Sequence, residues 1–291
     1  MGTPSAQFKS QHIRRPLTTL TLALLIAGCQ AQTSTDAVVA QETQAAKPAA
    51  TSKSGDDILK RFVEECVLIE PGKGEFPAEQ TLGSAEKRSL PVSQWKPEKP
   101  FRMSQFEVTQ ELYKTVTGAD PSRWKGPRNS LEMVCYDDAV QFCKSLTSKL
   151  RTKGLIEQTD VVRLPTEYEW EYCCRAGTNT KYSFGDSAVA DGDSGNIASV
   201  LNAYAWHTGN AAGNDPEVGV LKPNPWKLYD MHGYLWEYVT SDEADSPEKI
   251  IRGGSWRDHH SLLTSTVRIS IPSHAMSDAI GFRCVIAPQI E

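Results

Sequence analysis

Cysteine and histidine are scarce in this chain, at seven and six among 291 residues. That is too few thiols for a disulfide-stapled miniprotein and little material for a metal-rich enzyme. Basic residues are not in excess either. The 31 Lys and Arg face 36 Asp and Glu, for a formal charge of −5. The basic surface needed to neutralise phosphates is missing, so no nucleic-acid partner is expected. No apolar run approaches the roughly 20 residues of a membrane-crossing helix, and there is no Gly-X-Y period or sustained heptad. Multi-pass membrane protein, collagen and coiled coil are thereby excluded. What is present, with 39% apolar and 8% aromatic residues, suffices for the core of one large domain or two small ones.

Lys9, Arg14 and Arg15 precede a mostly apolar run from Pro16 to Gly28. It is too short to span a bilayer and reads as an export signal over 1–28. Ile26-Ala27-Gly28-Cys29 resembles the lipobox of bacterial lipoproteins. That resemblance implies a lipidated Cys29 at the mature N-terminus, a membrane as partner and the cell envelope as location. An ordinary signal peptide with an incidental cysteine is the alternative. Gln30 to Asp57 is Ala, Gln, Thr and Ser with no aromatic residue, too little apolar surface to offset the entropy of ordering it. Residues 29–57 therefore read as a tether, and 58–291 as one domain.

Within that domain regular structure is sparse. Thr109 as N-cap and Gly118 as stop predict a helix over Gln110–Val116. Ala139, Cys143, Leu146 and Leu150 at helical spacing predict another over Asp138–Arg151. Thr166 and Glu169 have capping-box spacing ahead of a third, Glu167–Arg175. Strands are expected at Phe101–Val108, Ile250–Arg252 and Gly281–Ile286. Between Thr178 and Lys227 the chain is mostly Gly, Asn, Asp, Ser and Pro, a loop long enough to suggest function or a structural ion.

Arg163-Leu164-Pro165-Thr166-Glu167, with Glu169-Trp170-Glu171-Tyr172 and Arg175-Ala176-Gly177, resembles the central motif of the formylglycine-generating (sulfatase-modifying factor) family. Glu107-Val108-Thr109, Glu132-Met133-Val134 with Asp138-Ala139, and Leu228–Gly233 with Trp236-Glu237 follow in the family's order. Arg252-Gly253-Gly254-Ser255-Trp256, Arg268 and Gly281-Phe282-Arg283 complete the set, and the likeness covers about 65–288. It implies a single irregular α+β domain, related to C-type-lectin-like folds and low in regular secondary structure.

The family's oxidase members bind copper(I) through two cysteines, the first shortly after the Gly-Gly-Ser-aromatic turn. Soft thiolates suit that ion. This chain has no cysteine between Cys174 and Cys284. The positions nearest the family's pair are Asp258, His260 and Leu263, in a stretch whose alignment is ambiguous by about three residues. No catalytic residue is assigned and copper is not expected. Asp258-His259-His260 has two readings, a solvated turn or a replacement non-haem metal site. Adjacent histidines on a strand point to opposite faces, which disfavours the second. Calcium fits the resemblance better. By position its ligands would be carbonyls of Asp230, Gly233 and Leu235 and the side chain of Glu237, with a Glu237–Arg ion pair as the alternative.

Arg163, Glu167, Glu169, Trp170, Glu171, Arg252, Arg268 and Arg283 read as architectural, ion pairs locking a loop-rich core. The resemblance also implies a Cys143–Cys284 disulfide, which export would favour. Cys66, Cys135, Cys173 and Cys174 read as buried thiols. Family stretches matching Trp206, His207, Trp256, Asp258 and His260 line a peptide groove. Two functions are compatible with these observations. One is an envelope-anchored binding or scaffold module for a protein or peptide; the other is a formylglycine-generating-type oxidoreductase or a metal variant of it.

Overall fold

The computed structural model describes residues 54–289, apart from 214 and 243–245, within one compact unit spanning 51–291. The export signal, Cys29 and the tether up to residue 53 lie outside the described residues. Among the described residues no helix is long and apolar enough to cross a membrane.

The first helix starts earlier than the composition suggests. α1 (Gly55–Glu64) begins inside the stretch read as tether, because Ser54 and Asp57 form a reciprocal capping box. Ile58, Leu59 and Phe62 then face inward. The three expected helices are present. α2 (Gln110–Thr117) is capped by Thr109 and stopped by left-handed Gly118. α3 (Tyr136–Thr152) buries Ala139, Phe142, Cys143, Leu146 and Leu150. α4 (Glu167–Arg175) carries the Thr166–Glu169 capping box.

Two four-stranded sheets frame these helices. The first runs β1 (Cys66–Ile69), β4 (Phe101–Ser104), β10 (Val285–Pro288), β5 (Asp160–Arg163), all antiparallel. The second runs β8 (Arg268–Pro272), β7 (Glu248–Arg252), β6 (Trp236–Val239), β9 (Ile280–Gly281), with β6 and β9 parallel. β2 (Gln80–Leu82) and β3 (Ser93–Trp95) form a separate hairpin. Two expected strands are shorter than their apolar patterns. Phe101–Val108 leaves the ladder after Ser104. Gly281–Ile286 splits into β9 and β10, since Phe282-Arg283-Cys284 crosses from one sheet to the other. The expected long loop is real; between 178 and 227 the described regular structure is a single 3₁₀ turn, Leu201–Ala203.

The core is apolar around an ionic centre. Tyr113 stacks on Phe142 at 5.2 Å and Phe142 meets Phe282 edge-on at 5.4 Å, tying α2 and α3 to the β9–β10 crossing. α4 is buried nearly all round. Its carboxylates are therefore paired. Glu167 accepts from Arg252 at 3.0 Å and also pairs with Arg268. Glu171 accepts from Arg252 at 2.6 Å, from Arg175 at 2.9 Å and from the Gly83 amide at 2.7 Å. Arg163 grips Glu169 with two bonds of 2.7 Å. These residues make the lock that their spacing suggested.

Candidate functional site

The site is built on the turn that leaves β7. Gly253 and Gly254 have φ of +96° and +80°. A Cβ on Gly254 would lie 2.7 Å from Leu263 Cδ1, so only glycine admits the turn there. The chain then folds Ser255–Asp258 back on itself, with the Asp258 amide donating to Ser255 O at 3.0 Å.

Asp258 is a fastener in this turn. One carboxylate oxygen accepts from Trp236 Nε1 at 2.7 Å, from the Ser255 amide at 3.0 Å and from Ser255 Oγ. Its carbonyl accepts from Thr208 N and Oγ1, both at 3.1 Å, which stitches the 206–210 loop to the turn. The structure thus brings the Trp206-His207 segment to the Trp256–His260 turn, but not as a row of ligand-facing side chains. His207 is buried, with Nε2 on Asn202 at 2.7 Å and Nδ1 accepting from the Gly209 amide at 3.0 Å. Burial, with His260 and His259 nearby, pushes its pKa down to about 4, so the ring is neutral. His259 and His260 stack ring on ring at 3.9 Å. Among the described residues no group of three His, Cys, Asp or Glu is disposed to hold a metal. The iron reading of Asp258-His259-His260 is not supported by this geometry. Leu263 is fully buried and its methyls fill the space beside Gly233 and Gly254.

In the expected calcium set the one side-chain ligand is already engaged. Glu237, which was to provide the side-chain oxygen, is bound bidentately by Arg283 at 2.7 Å and 2.7 Å and accepts from Trp170 Nε1 at 2.8 Å. A dication would have to displace a guanidinium from a buried ion pair to use it. The Glu–Arg alternative is what the geometry realises for Glu237, while Asp230 Oδ1 and both oxygens of neighbouring Glu107 are buried without a partner. Millimolar Ca²⁺ is expected to leave the thermal midpoint unchanged; a clear upward shift in a melting curve would restore the ligand set.

On the other side of the turn a cavity of about 230 Å³ opens, walled by Trp124, Tyr234 and Trp256 and floored by Ser130, Glu132 and Asp278. Trp256 is fixed as a wall by three contacts. Its amide donates to Tyr234 O at 2.9 Å and its Nε1 to Asp278 O at 3.0 Å, while Arg257 lies 4.6 Å over its ring. Glu132 enters from the strand-like segment before α3. Its Oε1 accepts from the amides of Arg123 and Trp124, the latter at 3.0 Å. Its Oε2 has no partner, and neither has Ser130 Oγ. Burial raises the Glu132 pKa; the two amides oppose this, and Asp278 and Asp215 add to it. Wider hollows of about 520 and 540 Å³ lie along Trp95–Phe101 and along the Lys144 face of α3. Neither contains an unpartnered buried polar atom among the described residues, so the smaller cavity is the better site. Of the expected groove residues it includes only Trp256. Glu132 appeared in the sequence as part of a motif, but nothing in its spacing indicated that it would line a cavity.

The sulfatase-modifying factor enzyme 1-like domain matches residues 56–288. The chain belongs to that family. The chain is 25% identical over 230 residues to a Paenibacillus barcinonensis protein named chaperone protein LppX, covering 62% of this chain and 76% of that one. It is 32% identical over 140 residues to the inactive C-alpha-formylglycine-generating enzyme 2 of Bos taurus, covering 42% and 43%. The chain thus spans under half the length of the bovine relative. Among solved structures, Treponema denticola variable protein 1 superposes with a TM-score of 0.63 at 23% identity, over 77% of this chain and 95% of that one. This likeness supports the sulfatase-modifying-factor α+β fold and, at that identity, the fold alone.

Proposed function

We propose that this member of the sulfatase-modifying-factor family is a non-catalytic binding or scaffold module, exported and held at a membrane through Cys29. One observation carries the reading. Where a thiolate pair would be needed, Asp258 is consumed in fastening its own turn and Leu263 is apolar and buried, while Trp256 of the same turn walls an aromatic-lined cavity. Soft copper(I) finds no thiolate there. The similarity to a relative named a chaperone and to one named inactive is consistent with binding without oxidation. The deciding experiment incubates the full chain with a sulfatase-motif peptide, copper and oxygen and reads the peptide mass. An unmodified cysteine is the expected result. Turnover to an aldehyde would establish the oxidoreductase reading instead.

Export would also act on Cys143 and Cys284, whose sulfurs lie 3.9 Å apart, in contact but unbonded. Small side-chain rotations would close the bridge. Material matured in an oxidising compartment is expected to yield a Cys143–Cys284 peptide in non-reducing mapping. Its reduction should lower stability by about 2–4 kcal/mol. Recovery of both as free thiols would remove the pairing.

A further inference from the structure

We propose that the cavity bounded by Trp124, Tyr234 and Trp256 is a site for an organic cation, an alkylammonium or guanidinium on a short apolar stem, with Glu132 as its counter-ion. The proposal rests on the binding-module reading and names the ligand chemistry of that same site.

Glu132 is only 3% exposed, and two amides anchor its carboxylate at one oxygen. The second oxygen is unpartnered, as is Ser130 Oγ, and both residues line the cavity. A buried acceptor without a donor costs about 1–3 kcal/mol, so a donor-bearing occupant is favoured over a purely apolar one. The sign of that occupant follows from the neighbouring charges. Asp278 is already neutralised by Arg257 at 2.6 Å and Arg123 at 3.2 Å. Glu132 and Asp215 make no ion pair among the described residues, and Asp215 is served by Asn129 and Tyr234 through hydrogen bonds. Two carboxylates facing one cavity repel an anion and attract a cation.

The walls add a second attraction. Indole and phenol faces draw cations within about 6 Å, and more strongly once water is excluded. Both tryptophans already hold an arginine of this chain, Arg257 at 4.6 Å from Trp256 and Arg123 at 5.2 Å from Trp124. A stem of a few methylenes would lie along those rings with its charged head at Glu132 Oε2 and Ser130 Oγ. The volume of about 230 Å³ suits one such side chain, not a folded segment.

The test is isothermal titration of the full-length chain in mild detergent with four probes. Cadaverine and agmatine present the cation alone, N-acetyl-lysinamide presents it on a peptide unit, and N-acetyl-norleucinamide is the neutral match. The cations should bind at least about tenfold tighter than the neutral probe. Glu132→Gln should abolish that preference. Its amide oxygen still accepts from the Arg123 and Trp124 amides while the formerly unpartnered oxygen becomes a donor. Should that variant melt early, Asp215→Asn provides the second reading, a several-fold loss for cations only. Preference for N-acetyl-lysinamide over cadaverine assigns the cation to a polypeptide; equal binding assigns it to a free amine. Equal affinity for charged and neutral probes overturns the proposal but leaves a binding module. Cation binding that ignores both substitutions also overturns it. So does silence from all four probes at millimolar concentration, which would mean that water satisfies Glu132.

Discussion

Replacing Arg283 with alanine is expected to destabilise the domain by about 3–5 kcal/mol, the range for removing one partner of a buried ion pair. Arg283 is fully buried. Its Nε and one Nη2 proton hold Glu237, the other Nη2 proton reaches Tyr229 O at 2.9 Å, and Nη1 donates to Ser104 O at 3.2 Å and Gln105 O at 3.1 Å. A guanidinium has five N–H donors, and all five are used. The carbonyls belong to the end of β4 and to the loop before β6, so one side chain joins the two sheets at their crossing. Alanine would leave Glu237 buried with no cation beside it. Lysine keeps the charge but not the fork, so Arg283→Lys should recover part of the loss and not all of it. Urea midpoints of wild type and both variants measure this. A midpoint for Arg283→Ala near that of wild type would show that the network is not a stabilising element.

How legible was this arrangement beforehand? Arg283 was readable as architectural, and α2, α3 and α4 were readable to within a few residues, because caps and stops are local chemistry. Thr109, Gly118, Thr166 and Glu169 bond backbone groups three or four residues away. α1 had the same kind of signal in Ser54, Asp57, Ile58, Leu59 and Phe62, but the Ala, Gln and Ser composition upstream masked it. Strands were harder. β6 is buried on both faces, so it shows no alternation, and β2, β3 and β9 run two or three residues, too short for any period to register. The cavity was least legible. Trp124, Glu132, Asp215, Tyr234 and Trp256 are far apart in sequence, and long-range bonds such as Tyr234 Oη to Asp215 and Trp256 N to Tyr234 O bring them together. His207 shows the reverse error: an aromatic-polar loop looked ligand-facing, yet the backbone amide of Gly209 and Asn202 claimed both ring nitrogens.

Glu107→Gln is expected to stabilise the domain at pH 7.5 and to leave it unchanged near pH 4. Glu107 is buried with neither carboxylate oxygen partnered. Desolvation first, and Asp230 second, push its pKa well above the carboxylate range, against the pull of Arg283. Asp230 is pushed up to about 6, chiefly by burial. For such groups the folded state holds protons that the unfolded chain releases. Their contribution is complete below the unfolded pKa near 4 and is lost as pH rises through the folded values. A single group of this kind tilts stability by up to about 1.4 kcal/mol per pH unit across its window. The buried histidines tilt it the other way. His207 and His232, both depressed to about 4 by burial, favour folding above the ordinary histidine range and lose that effect as pH falls toward 4. The wild-type profile therefore mixes two opposed slopes, and the difference between variant and wild type isolates one. Glutamine is neutral at every pH and matches the protonated acid in shape. The gap between the two urea-derived stabilities should accordingly open from near zero at pH 4 to about 1–3 kcal/mol at pH 7.5 in favour of the variant. A gap that stays flat across that range would mean that the Glu107 pKa is unchanged by folding, and one that opens in favour of wild type that Glu107 is ionised and stabilising in the folded protein; either overturns the assignment.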